Sequence, residues 1–461
     1  MIFDVTLDDR TLMDTLTRQL AQHATRLTYA DIPDAVLIRA RQSLVDTLGC
    51  ALGGRDCEAA RIALSIADGA VPRRGAGRVL GTHGHATAEE AAFINTTMIR
   101  YLDFNDSWHA GHPSDILGGL LAVAGSAGAD GKRLLSALTV AYETVFRLIP
   151  PTQMREKGWD QGFCVGLATV CGLGHLLGLD ADRIGHAIAI TAVANVPMRA
   201  TRAGNLSLWK GAATAFAVRN AVYATQLAAG GMTGPEKPFE GRHGLMEQIT
   251  GRFEIAPFAT EGGAWRLPWV RLKYWPVEYN AQAGVWAALR LREQMAPRDI
   301  ARIDIATYWS AWHEIGSEPA KWDPATRETA DHSLPYIFAR ALVDGTITVN
   351  SFDEAAFMEP SLRPLMAKIA VAEDPAISAV FPEKIVMRVT AEATDGRRIT
   401  IETGDPRGDS TNPMDDAEID AKFRLLTTPA LGAAGADKAL AVWRDLDAAP
   451  DLTAAMDALV A

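Results

Sequence analysis

The sequence predicts a mainly α-helical protein with two bodies, a large all-α domain and a smaller α+β domain. Its 461 residues exceed what one hydrophobic core usually supports. Apolar residues recur at steps of three and four through roughly the first 268 residues, which is the helical period. The alternation of apolar and polar residues that is typical of strands appears only after about residue 269.

The first body reads as a succession of helices. Leu37, Leu44 and Leu48 fall on one face of a helix from Pro33 to Leu52, and two glycines follow it. Similar periods predict helices at 87–102, 116–127, 134–148, 162–177, 184–193 and 210–229. The apolar run 162–179 contains Gly, Thr and His175, so we expect a buried core helix there rather than a membrane span.

The second body mixes strands and helices. Ile303 and Ile305 alternate with polar neighbours, and so do the residues of 385–391. The Asp395-Gly396 pair joins this second run to 398–402, which predicts a β-hairpin. With helices expected at 280–295 and 334–342, the α+β domain spans 269–412. The helical pattern then returns, so we expect 413–461 to pack back on residues 1–268 and complete the all-α domain.

Composition excludes several functional classes. The net charge is -11, so a basic surface that tracks nucleic-acid phosphates is not expected. Four cysteines, spaced seven apart in two pairs, match neither a zinc nor an iron–sulfur pattern and are predicted to be buried thiols in a reducing compartment. The start Met1-Ile2-Phe3-Asp4 lacks the features of a signal peptide, so a cytoplasmic location is expected.

The densest polar cluster lies between two predicted helices. Gly111 and Pro113 prevent one continuous helix over 103–115, so this segment is predicted to be a loop. Its five ionisable side chains are Asp103, Asp106, His109, His112 and Asp115. Such a loop is able to ligate a divalent metal or to transfer protons, and the spacing alone does not decide. Helix capping explains only Ser114 or Asp115, and for Asp115 capping is favoured.

Four blocks of the sequence resemble the MmgE/PrpD family, which includes 2-methylcitrate dehydratases, cis-aconitate decarboxylases and iminodisuccinate epimerases. The blocks are Asp103-Phe-Asn-Asp with His112-Pro-Ser-Asp115, Trp209-Lys210-Gly211, Lys273-Tyr-Trp-Pro-Val-Glu278, and Arg327-Glu-Thr-Ala-Asp-His-Ser-Leu-Pro-Tyr336. They occur in order over more than two hundred residues. The resemblance implies a helical domain formed by both termini, an α+β lid domain, a homodimer, and catalysis without a metal or organic cofactor.

The same resemblance implies where the catalytic residues lie. They are Asp103, His112, Lys210, Lys273 and Tyr336, and Ser107 occupies a position that often carries a hydroxyl. Arg202 and Arg327 are further candidates for substrate binding, because a guanidinium fork matches a carboxylate, and surface salt bridges are the alternative for both. Glu278 is a third candidate for substrate binding. Each lysine also has a structural explanation. Lys210 at a helix start opposes the helix dipole unless an anion lies nearby, whereas Lys273 fits an exposed sheet edge. Tyr336 fits a core position and His332 a loop histidine.

These residue types suit the elimination of water from a hydroxy di- or tricarboxylate. Removing a proton next to a carboxylate adds negative charge to it, which Lys210 and Lys273 would stabilise in a water-poor cleft. His112, oriented by Asp103, is the expected proton acceptor, and Tyr336 or Lys273 the donor to the departing hydroxyl. We expect all five catalytic residues to meet in one cleft between the two domains, with no bound metal, because two lysines repel a dication.

The leading hypothesis is therefore a dehydratase of the 2-methylcitrate type, with a small carboxylate as its only ligand. Epimerisation and decarboxylation of a related carboxylate are rivals within the same chemistry. A catalytically silent, carboxylate-binding helical dimer and a metal-dependent hydrolase that uses His109 and His112 are rivals from other classes. Dehydration is preferred over cis-aconitate decarboxylation because Glu278 and Asp160 stand where the decarboxylases carry histidines, although both also fit as helix caps.

Overall fold

The computed structural model describes residues 13–67, 76–109, 111–204 and 206–461, and within them the protein is mainly helical with small sheets. The segment Met1–Asp4, on which the expectation about a signal peptide rests, lies outside the described residues. Among the residues described, no helix is long and apolar enough to cross a membrane.

The first half of the chain folds into packed helices and one short hairpin. The helices are α1 (Thr15–Arg26), α2 (Asp34–Gly53), α3 (Glu58–Ile66), α4 (Ala88–Tyr101), α5 (Ile116–Ala124), α6 (Gly131–Thr152), α7 (Gly162–Leu177), α8 (Ala181–Ala194) and α9 (Trp209–Ala229). Strands β1 (Ala76–Arg78) and β2 (His85–Thr87) pair antiparallel. The seven helices predicted from apolar periodicity are confirmed, and α7 is buried along almost its whole length.

Side-chain caps explain where several of these helices begin. The Asp14 carboxylate accepts a hydrogen bond from Thr17 N at the start of α1. Thr87 and Glu90 form a reciprocal capping box at the start of α4. The Asp130 carboxylate accepts a hydrogen bond from Arg133 N at the start of α6. Such caps satisfy backbone donors that have no partner inside the helix.

The second half alternates strands with mostly short helices. Its elements are α10 (Gln282–Gln294), β3 (Ile300–Thr307), α11 (Trp309–Ile315), α12 (Arg327–Ala330), α13 (Leu334–Asp344), α14 (Glu354–Phe357), α15 (Arg363–Met366), β4 (Ile369–Glu373), α16 (Pro375–Ser378), β5 (Met387–Ala393), β6 (Arg398–Thr403), α17 (Asp416–Arg444) and α18 (Thr453–Asp457). Helix α17 breaks at Gly432, whose φ of 69° lies in the left-handed region.

The larger sheet described has the strand order β4, β3, β5, β6. Strands β5 and β6 form the predicted antiparallel hairpin, and Gly396 takes a φ of 84° in its turn. Strand β4 was not predicted, and it pairs parallel with β3. The helices predicted at 280–295 and 334–342 are confirmed as α10 and α13.

Apolar side chains gather in two large cores. The first takes residues from Leu16 to Leu272 and again from Met414 to Leu459. The second takes residues from Val277 to Ile401. Helix α17 packs against α2, where a Cβ on Gly49 would lie 3.3 Å from the Cα of Phe423. Helix α17 therefore contributes side chains to the first core.

Candidate active site

A cavity of about 300 Å³ is lined by residues from both halves of the chain. Asp103, Ser107, His112 and Arg202 line it from the first half of the chain. Lys273 and Glu278 line it from the segment that leads into the second core. Six of the nine residues proposed from the sequence therefore share one cavity, and their catalytic or binding roles stay predictions.

The predicted loop between α4 and α5 forms one wall of this cavity. Asp103 takes a φ of 48° directly after α4, which turns the chain away from the helix. Ser107 and Arg271 then exchange two backbone hydrogen bonds, of 2.7 and 3.0 Å. This pairing brings the loop alongside the segment that carries Lys273, so residues 170 positions apart become neighbours.

Asp103 lies at the centre of a buried group of charges. Lys273 Nζ donates to Asp103 Oδ2 at 2.8 Å and to its backbone carbonyl at 2.6 Å, while Arg100 donates to Oδ1 at 3.0 Å. Lys210 Nζ lies 4.0 Å from Oδ1. Burial alone raises the pKa of Asp103, but the charges of Lys210, Lys273 and Arg100 hold it well below its usual range. Asp103 is therefore an ionised countercharge for these cations.

Lys210 is buried in the first turn of α9, where a cation opposes the helix dipole. Its ammonium donates to both carboxylate oxygens of Asp331, at 2.9 and 3.1 Å. Asp331 is thus the nearby anion that the sequence argument required. Because Asp331 comes from the second half of the chain, this ion pair joins the two halves close to Asp103.

His112 is oriented by the backbone and not by Asp103, which corrects the expectation from the sequence. Its Nδ1 donates to the carbonyl of Asp106 at 2.6 Å, and its own backbone N–H donates to Gln161. Burial, followed by the charges of Arg100 and Lys273, lowers the pKa of His112 well below its usual range. The imidazole is therefore neutral at pH 7, and Nε2 is left without the proton.

The other two carboxylates of the loop, Asp106 and Asp115, form hydrogen bonds inside the protein. Asp106 accepts hydrogen bonds from Ser114 and from the Tyr142 hydroxyl, and burial raises its pKa to about 6. Asp115 accepts from Asn105, and burial raises its pKa to about 7. Its side chain makes no capping hydrogen bond to α5, contrary to expectation. In the part of the chain described, no three His, Cys, Asp or Glu side chains are arranged to hold a metal ion.

His332 also lines the cavity, although the sequence suggested only a loop position. Its Nδ1 donates to Asp331 Oδ1 at 2.6 Å. Burial, followed by the Lys210 charge, lowers the pKa of His332 to about 4. The signal that was available is the adjacency of an aspartate and a histidine next to a block that resembles the family's catalytic segments.

Arginines that were not singled out as candidates complete the wall. Arg155 and Arg199 both pair with Glu314, and Arg271 pairs with Asp409 at 2.9 Å. These residues are far apart in the sequence and belong to no common motif. Only the fold brings them together.

Glu278 and Asp160 combine a structural bond with a place in the cavity wall. Glu278 accepts hydrogen bonds from the N–H and side chain of Asn280, and burial raises its pKa to about 7. Asp160 accepts from Gly162 N at the start of α7 and from Arg202 at 2.9 Å. Because Arg202 pairs with Asp160, the negative charge that Asp160 adds to the cavity wall is largely neutralised.

The structure does not bring Tyr336 or Arg327 to the cavity, and Lys210 lies close to Asp103 without lining the cavity itself. Tyr336 is fully buried in the second core, and its hydroxyl donates to the backbone carbonyl of Ser351. The guanidinium of Arg327 lies 4.8 Å from the ring centroid of Tyr101 and donates to the carbonyl of Phe352. Both contacts are structural.

Helix α17 fastens the two backbone segments of the site. Lys422 Nζ donates to the carbonyl of Phe104 at 2.8 Å and to that of Lys273 at 2.9 Å. The same ammonium lies 2.6 Å from the buried carboxylate of Asp46 in α2. A single side chain therefore holds the backbone of Phe104, the residue after Asp103, close to the backbone of Lys273.

Comparison with known proteins identifies two family models that match the chain. The MmgE/PrpD N-terminal domain matches residues 18–257, and the MmgE/PrpD C-terminal domain matches residues 275–448. A 2-methylcitrate dehydratase of Salmonella typhimurium is 32% identical over 384 residues, which cover 78% of this chain and 79% of that protein. One from Escherichia coli K12 is 31% identical over 388 residues, with the same coverage. A cis-aconitate decarboxylase-like protein, oryM, of Aspergillus oryzae is 25% identical over 462 residues, or 92% and 93% of the two chains.

Proposed function

Because the chain belongs to the MmgE/PrpD family, we propose that it is a hydro-lyase of the 2-methylcitrate dehydratase type. Its substrate is a hydroxy di- or tricarboxylate. One observation carries this proposal beyond the similarity itself. Two buried ammonium groups, Lys210 and Lys273, flank Asp103, and the cavity that Asp103 and Lys273 line is also lined by three imidazoles, those of His109, His112 and His332.

The reaction begins with removal of a proton from the carbon next to a substrate carboxylate. His112 Nε2 accepts this proton, because the imidazole is neutral and its Nδ1 is held by Asp106. The electron pair moves onto the carboxylate, which gains negative charge. The ammonium groups of Lys210 and Lys273 stabilise that charge in a site from which the folded chain excludes most water.

The electron pair then returns from the carboxylate to form the C=C bond as the C–O bond breaks, and the hydroxyl leaves as water once it receives a proton. With Tyr336 away from the cavity, His332 is the donor that we propose. A bound polyanion raises the pKa of this imidazole, and Asp331 stabilises its charged form. Lys273 is the second candidate, since burial lowers its pKa and so favours release of a proton.

We also propose that the second core acts as a lid on the cavity and that the enzyme is a cytoplasmic homodimer without a metal or organic cofactor. Support for the lid comes from the ion pair between Lys210 and Asp331, which ties the two cores together. Support for the dimer comes from α9, where Trp209, Phe216 and Tyr223 are exposed at seven-residue spacing on one face. Sedimentation of the pure protein tests the dimer.

The test of the function is an NMR assay of pure protein with 2-methylcitrate, citrate, cis-aconitate and iminodisuccinate. We expect a hydroxy acid to be consumed and an unsaturated product to appear, seen as a methyl singlet on a C=C bond from 2-methylcitrate or as the vinylic proton of cis-aconitate from citrate. A Lys273→Met variant should abolish this signal, whereas Lys384→Met, at an exposed lysine, should keep it. Carbon dioxide release from cis-aconitate, with the hydroxy acids untouched, would assign the chain to decarboxylation instead. No turnover with any of the four would favour the silent carboxylate-binding dimer.

A further inference from the structure

We propose that Arg155 and Arg199, which pair with Glu314 in the structure, form a carboxylate subsite that receives the third carboxylate of a tricarboxylate substrate in place of Glu314. This inference rests on the proposed function, because it assigns part of the same cavity. It also narrows the substrate class, since a dicarboxylate has no group left for this position.

Two guanidinium groups converge on one carboxylate oxygen. Arg155 donates from its NH2 group to Glu314 Oε1 at 2.6 Å, and Arg199 donates from its NH2 group to the same oxygen at 2.8 Å. All three residues line the cavity. Arg155 follows α6 and Arg199 lies in the turn before α9, whereas Glu314 comes from α11 on the other side. This is the geometry of a bound carboxylate, with the protein supplying the carboxylate itself.

The arginines are crowded enough to require an anion. Burial is the first cause that lowers the pKa of Arg199, and the neighbouring Arg155 and Arg202 lower it further. Glu314 opposes this effect. Although burial raises the pKa of Glu314, Arg155 and Arg199 lower it to about 2. Glu314 is therefore ionised at neutral pH, and another carboxylate would satisfy the same two guanidinium groups.

Glu314 is better suited to leave than the other carboxylate nearby. Asp160 is fully buried, and it caps the start of α7 through Gly162 N as well as pairing with Arg202. The Glu314 side chain is 16% exposed, and it forms ion pairs with the two arginines. Its helix, α11, has seven residues. Displacing Glu314 breaks ion pairs that the incoming carboxylate restores, whereas displacing Asp160 would undo a helix cap.

The remaining cations of the cavity already have separate partners. Lys210 and Lys273 pair with Asp331 and Asp103 at the catalytic end. Arg202 pairs with Asp160. Arg155 and Arg199 therefore supply a cationic position of their own. The cavity of about 300 Å³ suits a small polyanion.

The experiment is calorimetric titration of the full-length protein with citrate, which has three carboxylates, and with malate, which has two. The variants are Arg155→Gln, Arg199→Gln and Glu314→Gln, with Arg424→Gln on the exposed face of α17 as the matched control. Thermal melting shows that each variant is folded, and Arg155→Lys retains the charge if the neutral variant does not fold.

Loss of either arginine should weaken citrate binding about 10- to 100-fold, the worth of one or two charge-assisted hydrogen bonds, and change malate binding less than about threefold. Glu314→Gln should tighten citrate binding several-fold, because the internal competitor is gone, and this gain should vanish in the Glu314→Gln/Arg155→Gln double variant. If Glu314→Gln weakens citrate binding as the arginine variants do, Glu314 holds the two arginines in place for the ligand and does not compete with it, and the inference is wrong. Equal losses for citrate and malate, or no preference of the wild type for citrate, also overturn it. Turnover of 2-methylcitrate by the wild type reports separately on the proposed function.

Discussion

Asp331 and His332 are adjacent in the chain, and their side chains are bonded to each other, with Oδ1 lying 2.6 Å from Nδ1. The same carboxylate holds Lys210. One aspartate therefore positions an imidazole and an ammonium group at the cavity. This relationship makes His332 a direct target for mutation.

Replacing His332 with Gln should lower kcat about 10²- to 10⁴-fold and leave KM within about threefold, because only proton transfer is lost. Asp331→Asn should lower the apparent pKa of the limb of the kcat pH profile that reports His332, since it removes the charge that stabilises the imidazolium. His83→Gln, at an exposed histidine, is the control. A kcat for His332→Gln within twofold of the wild type would return the donor role to Lys273.

Tyr336→Phe should leave kcat within about threefold of the wild type. The Tyr336 hydroxyl donates to a backbone carbonyl in the second core, so its removal should cost about 1 kcal/mol of unfolding free energy. Steady-state kinetics and urea unfolding measure the two effects. A fall in kcat beyond a hundredfold, with stability unchanged, would show that Tyr336 reaches the substrate during turnover.

Lys422→Met should lower the free energy of unfolding by about 3 to 5 kcal/mol, because it leaves the buried Asp46 without its countercharge. Adding Asp46→Asn should recover part of that stability by removing the uncompensated charge. It should not restore kcat, since the carbonyls of Phe104 and Lys273 stay unfastened. Full recovery of activity in the double variant would show that Lys422 only neutralises Asp46 and that its bonds to the two carbonyls do not matter for kcat.

Acid should destabilise the protein through His23, which is buried and stacked on Phe258 at 3.6 Å. Burial, followed by the Arg147 charge, lowers the pKa of His23 to about 3. Because an unfolded histidine titrates near 6.5, the unfolded state binds the extra proton as pH falls from about 6.5 towards 3. Stability is therefore present above this window and is lost through it. Between pH 7.5 and 5.0 the loss through His23 is about 2 kcal/mol.

Urea unfolding of His23→Leu at both pH values checks this sign. Between pH 7.5 and 5.0 the free energy of unfolding should fall by about 2 kcal/mol less in the variant than in the wild type. His83→Leu should follow the wild type. If His23→Leu loses as much stability as the wild type between the two pH values, His23 is not the group responsible.

The helices were predictable because apolar periodicity and end signals agree, as in α2, α7 and α10. Strand β4 was missed because its five residues show no regular alternation and it pairs with β3 across more than sixty residues. Motif resemblance located Asp103, Lys210 and Lys273, but the same resemblance placed Tyr336 at the site, whereas α13 turns it into the second core. The pairing of Arg155 and Arg199 with Glu314 depends on tertiary structure alone.

The fastening by Lys422 also sets an order of events during synthesis. Ribosomes make Asp103 and Lys273 roughly 150 residues or more before Lys422, so both catalytic segments emerge while their common hydrogen-bond donor is still untranslated. Until then Asp46 also lacks the ammonium group of Lys422 that neutralises it in the folded protein. Residues 1–415 therefore exist before the donor that links the carbonyls of Phe104 and Lys273, so a chain that ends ahead of α17 carries the residues that line the cavity without the link between their two segments.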